Sequence, residues 1–449
     1  MPSKFNHINM LVLKFGGTSV GKPERMRKIA DLLLTTKGKK IVVLSALSGT
    51  TNTLVRIGEH LLAQQQTGAN EEINTLEKHY LTFIQELYSS EAYKAIGQEI
   101  VSRYFSLFRL LAAGRFDDRG YRELLAQGEL ISTELFYHHL QERKVPARLL
   151  PALHFMSIDE THEPELEKIS ERLKPILEIM SNVDILVTQG YICRNHKNEI
   201  DNLKRGGSDY TASLIGAAIR AEEIQIWTDI DGMHNNDPRI VKKTVPIAEL
   251  TFDEASELAY FGAKILHPST IVPAQKYSVP VRLKNTMDEK AFGTLISNKG
   301  TSGQFKAIAA KDDITVINIK SSRMLLAYGF LRKVFEVFEK HTTSIDMIST
   351  SEVAVSVTID DNRFVKEIVE ELKKLGTIEV YKNQTIICIV GNMLAEKENV
   401  LKFVFDAVAP VPIRMVSYGG SYNNISILVE TTQKEKALNL LNEGLFGLK

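Results

Sequence analysis

Short apolar runs alternate with helical patterns through the first 300 residues, and this alternation constrains the fold more than any other feature of the sequence. Four runs have the length and composition of buried strands: residues 11–15, 41–46, 184–188 and 224–228. After the first run, Met26, Ile29 and Leu33 recur at helical spacing, so a strand, a glycine-rich turn and a helix follow one another. This order predicts an α/β domain in which helices cover a mostly parallel sheet.

Between about residues 70 and 140 the pattern becomes purely helical. Apolar residues there form two stripes at helical spacing. The stripes are Ile73, Leu76, Tyr80, Phe83 and Leu87, and then Ile100, Tyr104, Leu107 and Leu111. This block predicts a helical cover over one end of the sheet.

The last third of the chain contains a weak internal repeat. Segments 344–359 and 412–429 each combine a short strand, a polar turn and a strand of alternating hydrophobicity, with helical patterns before and after. The predicted order is β-α-β-β-α-β, twice, which is the ferredoxin-like arrangement. Because the polar segment 298–303 is the predicted linker, we expect domains at residues 1–300 and 301–449.

Composition excludes several classes of protein. With 55 basic and 55 acidic residues the chain has no net charge, which disfavours a nucleic-acid or anionic-membrane partner. Cys193 and Cys388 lie far apart without metal-ligand spacing, so we expect buried thiols in a reducing compartment. The first ten residues lack the apolar core of a signal peptide, and no apolar run reaches the roughly 18 residues of a membrane span. These features predict a cytoplasmic protein.

The stretch GGTSVGKP, residues 16–23, nearly matches the phosphate loop G-x-x-x-x-G-K-[ST]. Gly16, Gly21 and Lys22 fit that motif, but Pro23 stands where a hydroxyl should hold magnesium. Proline is favoured at the first position of a helix, where its missing N–H costs nothing. We therefore assign Gly21 and Lys22 to the entrance of the next helix.

Three loops of small residues offer backbone N–H groups and hydroxyls beside predicted strand ends or helix starts: residues 16–19, 45–52 and 204–211. A single such loop is weak evidence, because strand-to-helix turns use glycine for steric reasons alone. Three loops at the carboxyl ends of parallel strands, where open α/β sheets bind ligands, predict a phosphate site.

Charged residues lie within or beside these loops. Lys14 interrupts an apolar strand just before the glycines, and a cation beside an anion nest explains it more economically than snorkelling does. Arg205 and Asp209 flank Gly206 and Gly207, and the alternative to a functional role is a surface salt bridge with a helix cap. The local sequence around Glu129 predicts an acidic side chain on a helix, exposed to solvent.

Residues 224–239 form a predicted strand followed by a loop rich in Asp and Asn. That loop could bind a nucleotide, or it could serve only to reverse the direction of the chain. Trp227, the only tryptophan, suits a core position better than base stacking.

Seven segments, in chain order, resemble those of the aspartate kinases, in particular the monofunctional, lysine-sensitive bacterial class. They are residues 14–19 (KFGGTS), 45–52 (SALSGTTN), 127–133 (QGELIST), 205–209 (RGGSD), 228–229 (TD), 236–239 (NDPR) and 261–268 (FGAKILHP). Residues 329–331 and 348–352 resemble the tandem ACT regulatory domains of that family. Seven motifs in order are far more specific than any one loop.

The resemblance implies a three-layer amino-acid-kinase fold, similar to carbamate kinase, followed by two ACT domains. It implies transfer of the γ-phosphoryl group of ATP to the β-carboxylate of L-aspartate, the first step toward lysine, threonine and methionine. Phosphoryl transfer depends mainly on positioning and charge neutralisation, which suits glycine nests and a lysine. Magnesium is expected to bridge the phosphates without a dedicated protein ligand cage.

By the family pattern, Lys14 neutralises the transferring phosphoryl group, Gly16 and Gly17 cradle it, and Asp209 orients the lysine. The residues expected to hold aspartate are Thr51, Glu129, Arg205 and Ser208. The residues expected to line the ATP site are Thr228, Asp229, His234, Arg239, Lys264 and Ile265. The sequence leaves open which of the two carboxylates of aspartate Arg205 binds. His234 stands where relatives often carry tyrosine.

The ACT resemblance implies feedback inhibition by an end-product amino acid, with lysine the first expectation and threonine the second. The expected effector contacts are Met324, Ala327, Phe330, Leu331, Asp346, Ser351 and Glu352. Ala327 lies where lysine-inhibited relatives often place a serine. Because ACT domains commonly pair across a subunit boundary, we expect a homodimer or a dimer of dimers.

Three alternatives remain. The first is a kinase of the same fold acting on glutamate, N-acetylglutamate or a nucleoside monophosphate, which the ACT region and residues 127–129 disfavour. The second is a non-catalytic amino-acid sensor, which the intact Lys14, Arg205 and Asp209 disfavour. The third is a fusion with homoserine dehydrogenase, which the length and the missing G-x-G-x-x-G fingerprint disfavour.

Overall fold

The computed structural model describes residues 10–203, 206–262, 267–300, 305–321 and 328–448. The chain divides into two compact units, one of residues 1–233 and 266–298 and the other of residues 234–265 and 299–449. The chain passes between the units at residues 233–234, 265–266 and 298–299, and the third of these positions lies at the predicted linker. Residues 234–265 group with the C-terminal part in this division, and the domains at residues 1–300 and 301–449 stay a prediction.

A mostly parallel sheet forms the centre of the first unit. Its strands run in the order β3-β4-β2-β1-β7-β9-β10, and only β10 is antiparallel to its neighbour. The bounds are β1 Met10–Phe15, β2 Lys39–Leu44, β3 Ala147–Leu149, β4 Ile185–Gln189, β7 Glu223–Thr228, β9 Val281–Asn285 and β10 Thr294–Ser297. A separate hairpin joins β5 Ile192–Arg194 to β6 Ile200–Asn202. The predicted α/β architecture is confirmed.

Helices cover this sheet. They are α1 Gly17–Val20, α2 Pro23–Thr35, α3 Thr50–Leu62, α4 Gln66–Leu87, α5 Glu91–Ala113, α6 Asp118–Glu142, α7 Leu166–Ile179, α8 Gly207–Ile219 and α10 Pro268–Lys276. Pro23 is the first residue of α2, as predicted, so the Walker interpretation of residues 16–23 does not apply. Tyr80, Phe105 and Phe108 of the predicted helical block are buried together in the core.

The second unit is built on one six-stranded sheet with the order β12-β13-β11-β14-β16-β15. The strands are β11 Ala307–Lys320, β12 Ile348–Thr350, β13 Ala354–Ile359, β14 Thr377–Val390, β15 Met415–Tyr418 and β16 Asn424–Glu430. The helices are α9 Phe252–Tyr260, α11 Phe330–Lys340, α12 Val365–Leu372, α13 Val400–Ala407 and α14 Lys434–Phe446, and β8 Glu249–Thr251 precedes α9. Separate apolar clusters lie under the two halves of the sheet.

The two repeats share their long central strands. Residues 314–320 of β11 pair with the first half of β14 and with β13, whereas residues 307–311 pair with the second half of β14. The N-terminal half of β11 therefore supplies the last strand position of the second repeat. In this one strand the order differs from the predicted β-α-β-β-α-β repeated twice along the chain.

Both cysteines are buried and free, as predicted. Among the described residues, no helix combines the length and the hydrophobicity needed to cross a membrane.

Candidate active site

The end of β1 places a lysine over the first glycine loop. Lys14 Nζ lies 2.7 Å from Asp209 Oδ1, and both side chains are mostly buried. A Cβ atom on Gly16 would stand 3.2 Å from that ammonium, and one on Gly17 would stand 3.1 Å from the Ala46 carbonyl oxygen. Glycine at these two positions lets the ammonium and two backbone segments approach closely, an arrangement that suits an anion.

The start of α8 forms the opposite wall. Gly206 has a left-handed backbone with φ of +63° and precedes the first turn of α8, which carries Asp209. A Cβ atom on Gly206 would lie 2.0 Å from Thr270 Cγ2, so only glycine fits both the conformation and the space. The first turn of α8 thus brings the Asp209 carboxylate to the ammonium of Lys14.

The second small-residue loop connects β2 to α3. Ser45 Oγ donates a hydrogen bond to Ser208 Oγ at 2.8 Å, which joins this loop to α8. Gly49 turns the chain in a left-handed conformation with φ of +84° directly before α3. Thr51 follows in the first turn of that helix, with its side chain half-buried.

Glu129 lies on α6 and is almost fully buried, at 3% exposure. Its Oε1 accepts a hydrogen bond from the Ala46 N–H at 3.2 Å, while its Oε2 has no partner among the described residues. Burial raises the pKa of this carboxyl to about 8. The interpretation of Glu129 as a solvated acid was therefore wrong, because α6 packs against the loop after β2. Gly128 permits that packing, since a Cβ atom there would lie 2.9 Å from Ala46 Cβ.

These elements enclose a cavity of about 460 Å³. Five of the residues predicted for the site line it: Lys14, Gly17, Thr51, Glu129 and Ser208. The other lining residues are Thr18, Ser45, Ala46, Leu47, Ser48, Gly49, Asn52, Tyr191, Gly206 and Gly207. Arg205 lies outside the described residues. The cavity thus has an ammonium and glycine loops among its walls, together with a buried carboxyl with one oxygen unpaired.

Tyr191 is a lining residue that the sequence reasoning missed. It follows β4 and has a left-handed backbone with φ of +67°, which is rare for an aromatic residue. Its N–H donates to Thr211 Oγ1 at 2.9 Å, and its carbonyl accepts from the Leu203 N–H at 2.7 Å. The available signal was the Gln-Gly-Tyr turn after a predicted buried strand.

The end of β7 carries Thr228 and Asp229. The Asp229 N–H donates to Thr228 Oγ1 at 2.6 Å, and that hydroxyl lies 3.1 Å from Asp229 Oδ1. Trp227, one residue earlier, is buried and stacks on Phe15 with ring centroids 5.8 Å apart, which confirms its predicted core position.

The remaining nucleotide-site predictions fall in the second unit or outside the described residues. The Arg239 guanidinium pairs with Asp237 at 2.7 Å and is largely exposed. The ring nitrogen Nδ1 of His234 lies 2.8 Å from Thr244 Oγ1. Lys264 and Ile265 lie outside the described residues, so the four assignments stay predictions.

The predicted effector contacts also belong to the second unit. Asp346 is buried at its side chain and forms a 2.8 Å ion pair with Lys311. Ser351 and Glu352 are exposed beside β12, and Leu331 is partly exposed on α11. Phe330 is instead part of the apolar cluster under the sheet. Met324 and Ala327 lie outside the described residues.

Comparison with known proteins places these features in a family. The family model described as "Amino acid kinase family" matches residues 9–285, and that described as "ACT domain" matches residues 387–445. Lysine-sensitive aspartokinase 3 of Escherichia coli K12 is 34% identical over 452 residues, covering 97% of this chain and 99% of the relative.

Two solved structures of the E. coli enzyme are similar over their whole length. Aspartokinase III in complex with aspartate and ADP, called the R-state, has a TM-score of 0.82 at 33% identity and covers 98% of this chain and 100% of its own. The complex with lysine and aspartate, called the T-state, has a TM-score of 0.82 at 34% identity, with coverages of 97% and 99%. This chain therefore belongs to the aspartokinases, the ATP-dependent aspartate kinases of the amino acid kinase family that carry a C-terminal ACT region.

Proposed function

We propose that the cavity beside Lys14 is where the enzyme transfers the γ-phosphoryl group of ATP to the β-carboxylate of L-aspartate, giving 4-phospho-L-aspartate. The observation that supports this proposal is that one cavity is lined both by Lys14, which pairs with Asp209 at 2.7 Å, and by Glu129, a buried carboxyl with one unpaired oxygen. The aspartate and ADP bound in the E. coli R-state structure support the substrate pair. The product is the first intermediate on the route to lysine, threonine and methionine.

In the reaction, an oxygen of the β-carboxylate forms a bond to the γ-phosphorus while the bond from that phosphorus to the β–γ bridging oxygen breaks, and ADP leaves with the electron pair. Lys14 neutralises charge that spreads over the phosphoryl oxygens. The N–H groups of Gly16 and Gly17 donate to the same oxygens. Asp209 holds the ammonium in place through its ion pair.

The acceptor amino acid is held by the buried carboxylate and the hydroxyls. Glu129 pairs with the ammonium of aspartate through its free oxygen, and Thr51 and Ser208 donate hydrogen bonds to the carboxylates. Arg205 provides a guanidinium suited to a bidentate carboxylate contact. These roles combine a cation for the phosphate with an anion for the amino group, which is what phosphorylation of a zwitterionic substrate requires.

The contacts that we propose for the nucleotide are Thr228, Asp229, His234, Arg239, Lys264 and Ile265. A magnesium ion bound with the nucleotide would supply further charge neutralisation at the phosphates. The Thr228 hydroxyl and the Asp229 carboxylate are oxygen donors of the kind that suits this ion, directly or through its water.

We propose that an end-product amino acid inhibits the enzyme at the ACT region, with lysine first and threonine second. The lysine bound in the E. coli T-state structure supports this regulation. Asp346 and Glu352 would face the ammonium groups of the effector, and Leu331 and Ser351 complete its surroundings. Inhibition requires the effector to bind the low-activity state more tightly than the active state.

A homodimer in the cytoplasm is the proposed form of the enzyme. Apolar side chains on the two edge strands of the ACT sheet support pairing of two copies, since Ile348 of β12 is 45% exposed and Tyr418 of β15 is 38% exposed. Light scattering coupled to gel filtration measures the assembly, and a monomer at micromolar concentration would contradict it.

Trapping of the acyl phosphate tests the reaction. The enzyme is incubated with ATP, magnesium and hydroxylamine in the presence of L-aspartate, L-glutamate or N-acetyl-L-glutamate, and the hydroxamate is measured. We expect hydroxamate with aspartate only, and none with aspartate would overturn the proposal. Repeating the assay with added lysine, threonine or methionine tests feedback inhibition separately.

A further inference from the structure

Helix α6 holds one peptide group of the loop after β2 at both of its ends. Ser132 Oγ donates to the carbonyl oxygen of Ser45 at 2.8 Å. The Ala46 N–H, which belongs to the same peptide group, donates to Glu129 Oε1 at 3.2 Å. Ser132 and Glu129 lie three residues apart on α6, so their side chains project from the same face of the helix. Because the peptide group is planar, these two contacts fix both its position and its direction.

The contacts of Ser132 also return to Glu129 itself. Ser132 Oγ lies 3.2 Å from the backbone carbonyl oxygen of Glu129, one helical turn earlier. The hydroxyl carries one proton, and the shorter of its two contacts is the one to Ser45. Ser132 is 0% exposed, so bulk water does not reach its hydroxyl. Removal of that hydroxyl would therefore weaken the hold on the loop without replacement by solvent.

The direction of this peptide group decides which oxygen of Glu129 is available to a ligand. Oε1 is occupied by the Ala46 N–H, whereas Oε2 is buried and has no partner among the described residues. Glu129 and Ala46 both line the cavity that Lys14 also lines. The last torsion angle of a glutamate side chain is soft, so a loose peptide group would let the two oxygens exchange places. A fixed peptide group keeps one oxygen occupied and the other free.

The loop keeps two other anchors at Ser45. Its Oγ donates to Ser208 Oγ on α8 at 2.8 Å, and its N–H donates to the Phe15 carbonyl oxygen at the end of β1 at 3.2 Å. Loss of the contact from Ser132 should therefore loosen the direction of the peptide group while the loop stays in place.

We propose that Ser132 positions the acceptor substrate without touching it, because its hydroxyl holds the Ala46 N–H on Oε1 of Glu129 and leaves Oε2 for the ammonium group of aspartate. This inference rests on the proposed function and deepens it. Ser132 is a positioning residue, since it acts through the loop and through the carboxylate. It also gives a role to a second residue of the segment 127–133.

The ionisation of Glu129 provides a readout that is specific to this contact. Burial raises the pKa of the carboxyl to about 8, and the hydrogen bond from the Ala46 N–H opposes that rise. Loosening this bond should therefore raise the pKa further. The other titratable groups around the cavity are Tyr80 on α4, Tyr191 after β4 and the ion pair of Lys14 and Asp209. Burial raises the pKa of both phenols, so they stay neutral from pH 6.5 to 9.

The test uses the full-length enzyme and measures kcat, KM for aspartate and KM for ATP between pH 6.5 and 9. Ser132→Ala removes only the hydroxyl oxygen. We expect its KM for aspartate to be about fivefold to tenfold higher at pH 7.5, as loss of one hydrogen bond gives, with kcat and KM for ATP within about twofold of the parent. The pH midpoint of the fall in KM for aspartate should move upward by at least about 0.5 unit.

Thr133→Val is the matched control for a merely structural role. The Thr133 hydroxyl is buried on the same helix, accepts from Gln189 Nε2 at 2.8 Å and donates to the Glu129 carbonyl oxygen at 2.8 Å. These partners lie on β4 and on α6 itself. We expect Thr133→Val to lower the thermal midpoint of unfolding while keeping the parental KM for aspartate within about twofold and the parental pH midpoint.

Ser132→Cys is a second variant, which keeps a side chain of similar shape with a weaker donor. Both its KM for aspartate and its pH midpoint should lie between those of the parent and of Ser132→Ala. An unchanged KM for aspartate in Ser132→Ala, or a raised KM with the parental pH midpoint, would overturn the inference. An equal shift of the pH midpoint in Thr133→Val would overturn it as well.

Two results for the parent enzyme separate this inference from the proposed function. A parental KM for aspartate that does not vary with pH would overturn the role of Glu129 and the positioning role of Ser132 together. A parent that forms no hydroxamate with aspartate would instead contradict the proposed function.

Discussion

Lys14 Nζ and Asp209 Oδ1 lie 2.7 Å apart, although 194 residues separate them in the sequence. The pair joins the end of β1 to the first turn of α8, so two of the three small-residue loops meet at one ammonium. The two side chains are only 11% and 20% exposed, which strengthens their interaction relative to a surface pair.

Substitution of Lys14 and substitution of Asp209 should both reduce turnover, but by different amounts. Lys14→Met deletes the charge proposed to stabilise the transferring phosphoryl group, and we expect kcat to fall by at least about 10³-fold. Asp209→Asn keeps the lysine but loosens its position, so a fall of about 10²-fold is expected. Initial rates of ADP release with saturating aspartate measure both.

Lys94→Met is the control for the loss of a lysine, because Lys94 forms a 2.7 Å pair with Glu91 on the helical cover. It should keep kcat within about twofold of the parent. Circular dichroism establishes that all three variants are folded. A Lys14→Met enzyme with more than a tenth of the parental kcat would contradict the assigned role.

The raised pKa of Glu129 predicts a pH-dependent KM for aspartate. With a pKa of about 8, the free enzyme holds this carboxyl neutral at lower pH, whereas pairing with the substrate ammonium requires the carboxylate. KM for aspartate should therefore fall as the pH rises from 6.5 to 8, by at most about tenfold per pH unit. KM for ATP, measured in the same series, should not follow this trend.

Glu129→Gln serves as the control for that profile. The amide cannot ionise, so KM for aspartate should be high and nearly independent of pH in the same range. A parental KM that is flat between pH 6.5 and 8 would show that Glu129 is not the group that receives the ammonium.

Much of the catalytic half could be predicted from the sequence because its signals are local. Strand β1, the glycines after it and Pro23 at the start of α2 follow one another within 14 residues, and each has a steric reason. The convergence of the loops followed from a general property of parallel sheets. The contact between Lys14 and Asp209 is the direct result of that topology.

Other features depend on packing that a local pattern does not encode. Glu129 is an acid in a polar stretch of α6, and its burial follows from how Gly128 lets that helix approach Ala46. The backbone of Tyr191 is held left-handed by Thr211, twenty residues further along the chain. Likewise, β11 and β14 each serve both repeats, which periodicity cannot reveal because both halves of each strand alternate in the same way.

The burial of Glu129 also predicts that this carboxyl lowers the free energy of unfolding of the protein at alkaline pH. A carboxyl whose pKa is raised from 4.5 to about 8 binds its proton more tightly in the folded state, so the free energy of unfolding decreases as the pH rises from about 4.5 to 8. Glu129→Gln removes this decrease. We expect the variant to be more stable than the ligand-free parent by about 2–4 kcal/mol at pH 8 and similar to it at pH 5.

Urea denaturation of both proteins at the two pH values measures this difference. A stabilised but impaired variant is the expected signature of an active-site residue that is kept for function. Equal stabilities at pH 8 would contradict the raised pKa of Glu129 in the folded state.

Gly190 provides a steric test of the wall between β4 and α8. It is buried directly after β4, and a Cβ atom there would lie 2.2 Å from Ser208 Oγ and 2.8 Å from Ser208 Cα. Because the second contact involves backbone, a rotamer change of Ser208 cannot relieve it. Gly190→Ala must therefore move the first turn of α8, which carries both Ser208 and Asp209. We expect kcat/KM for aspartate to fall by about 10²-fold, as a displacement of roughly 1 Å in a positioned site does, together with a destabilisation of about 1–3 kcal/mol.

Gly420→Ala is the matched control, since a Cβ atom on Gly420 would meet no other atom within 4 Å and its φ is not left-handed. Its kinetics and thermal midpoint should equal those of the parent within about twofold and about 2 °C. The double variant Gly190→Ala with Ser208→Gly removes the Oγ and Cβ contacts while leaving the clash with Cα. It should recover stability more than it recovers kcat/KM, because Ser208 is itself a proposed substrate contact. Full activity of Gly190→Ala would show that α8 can shift without disturbing the pair of Lys14 and Asp209.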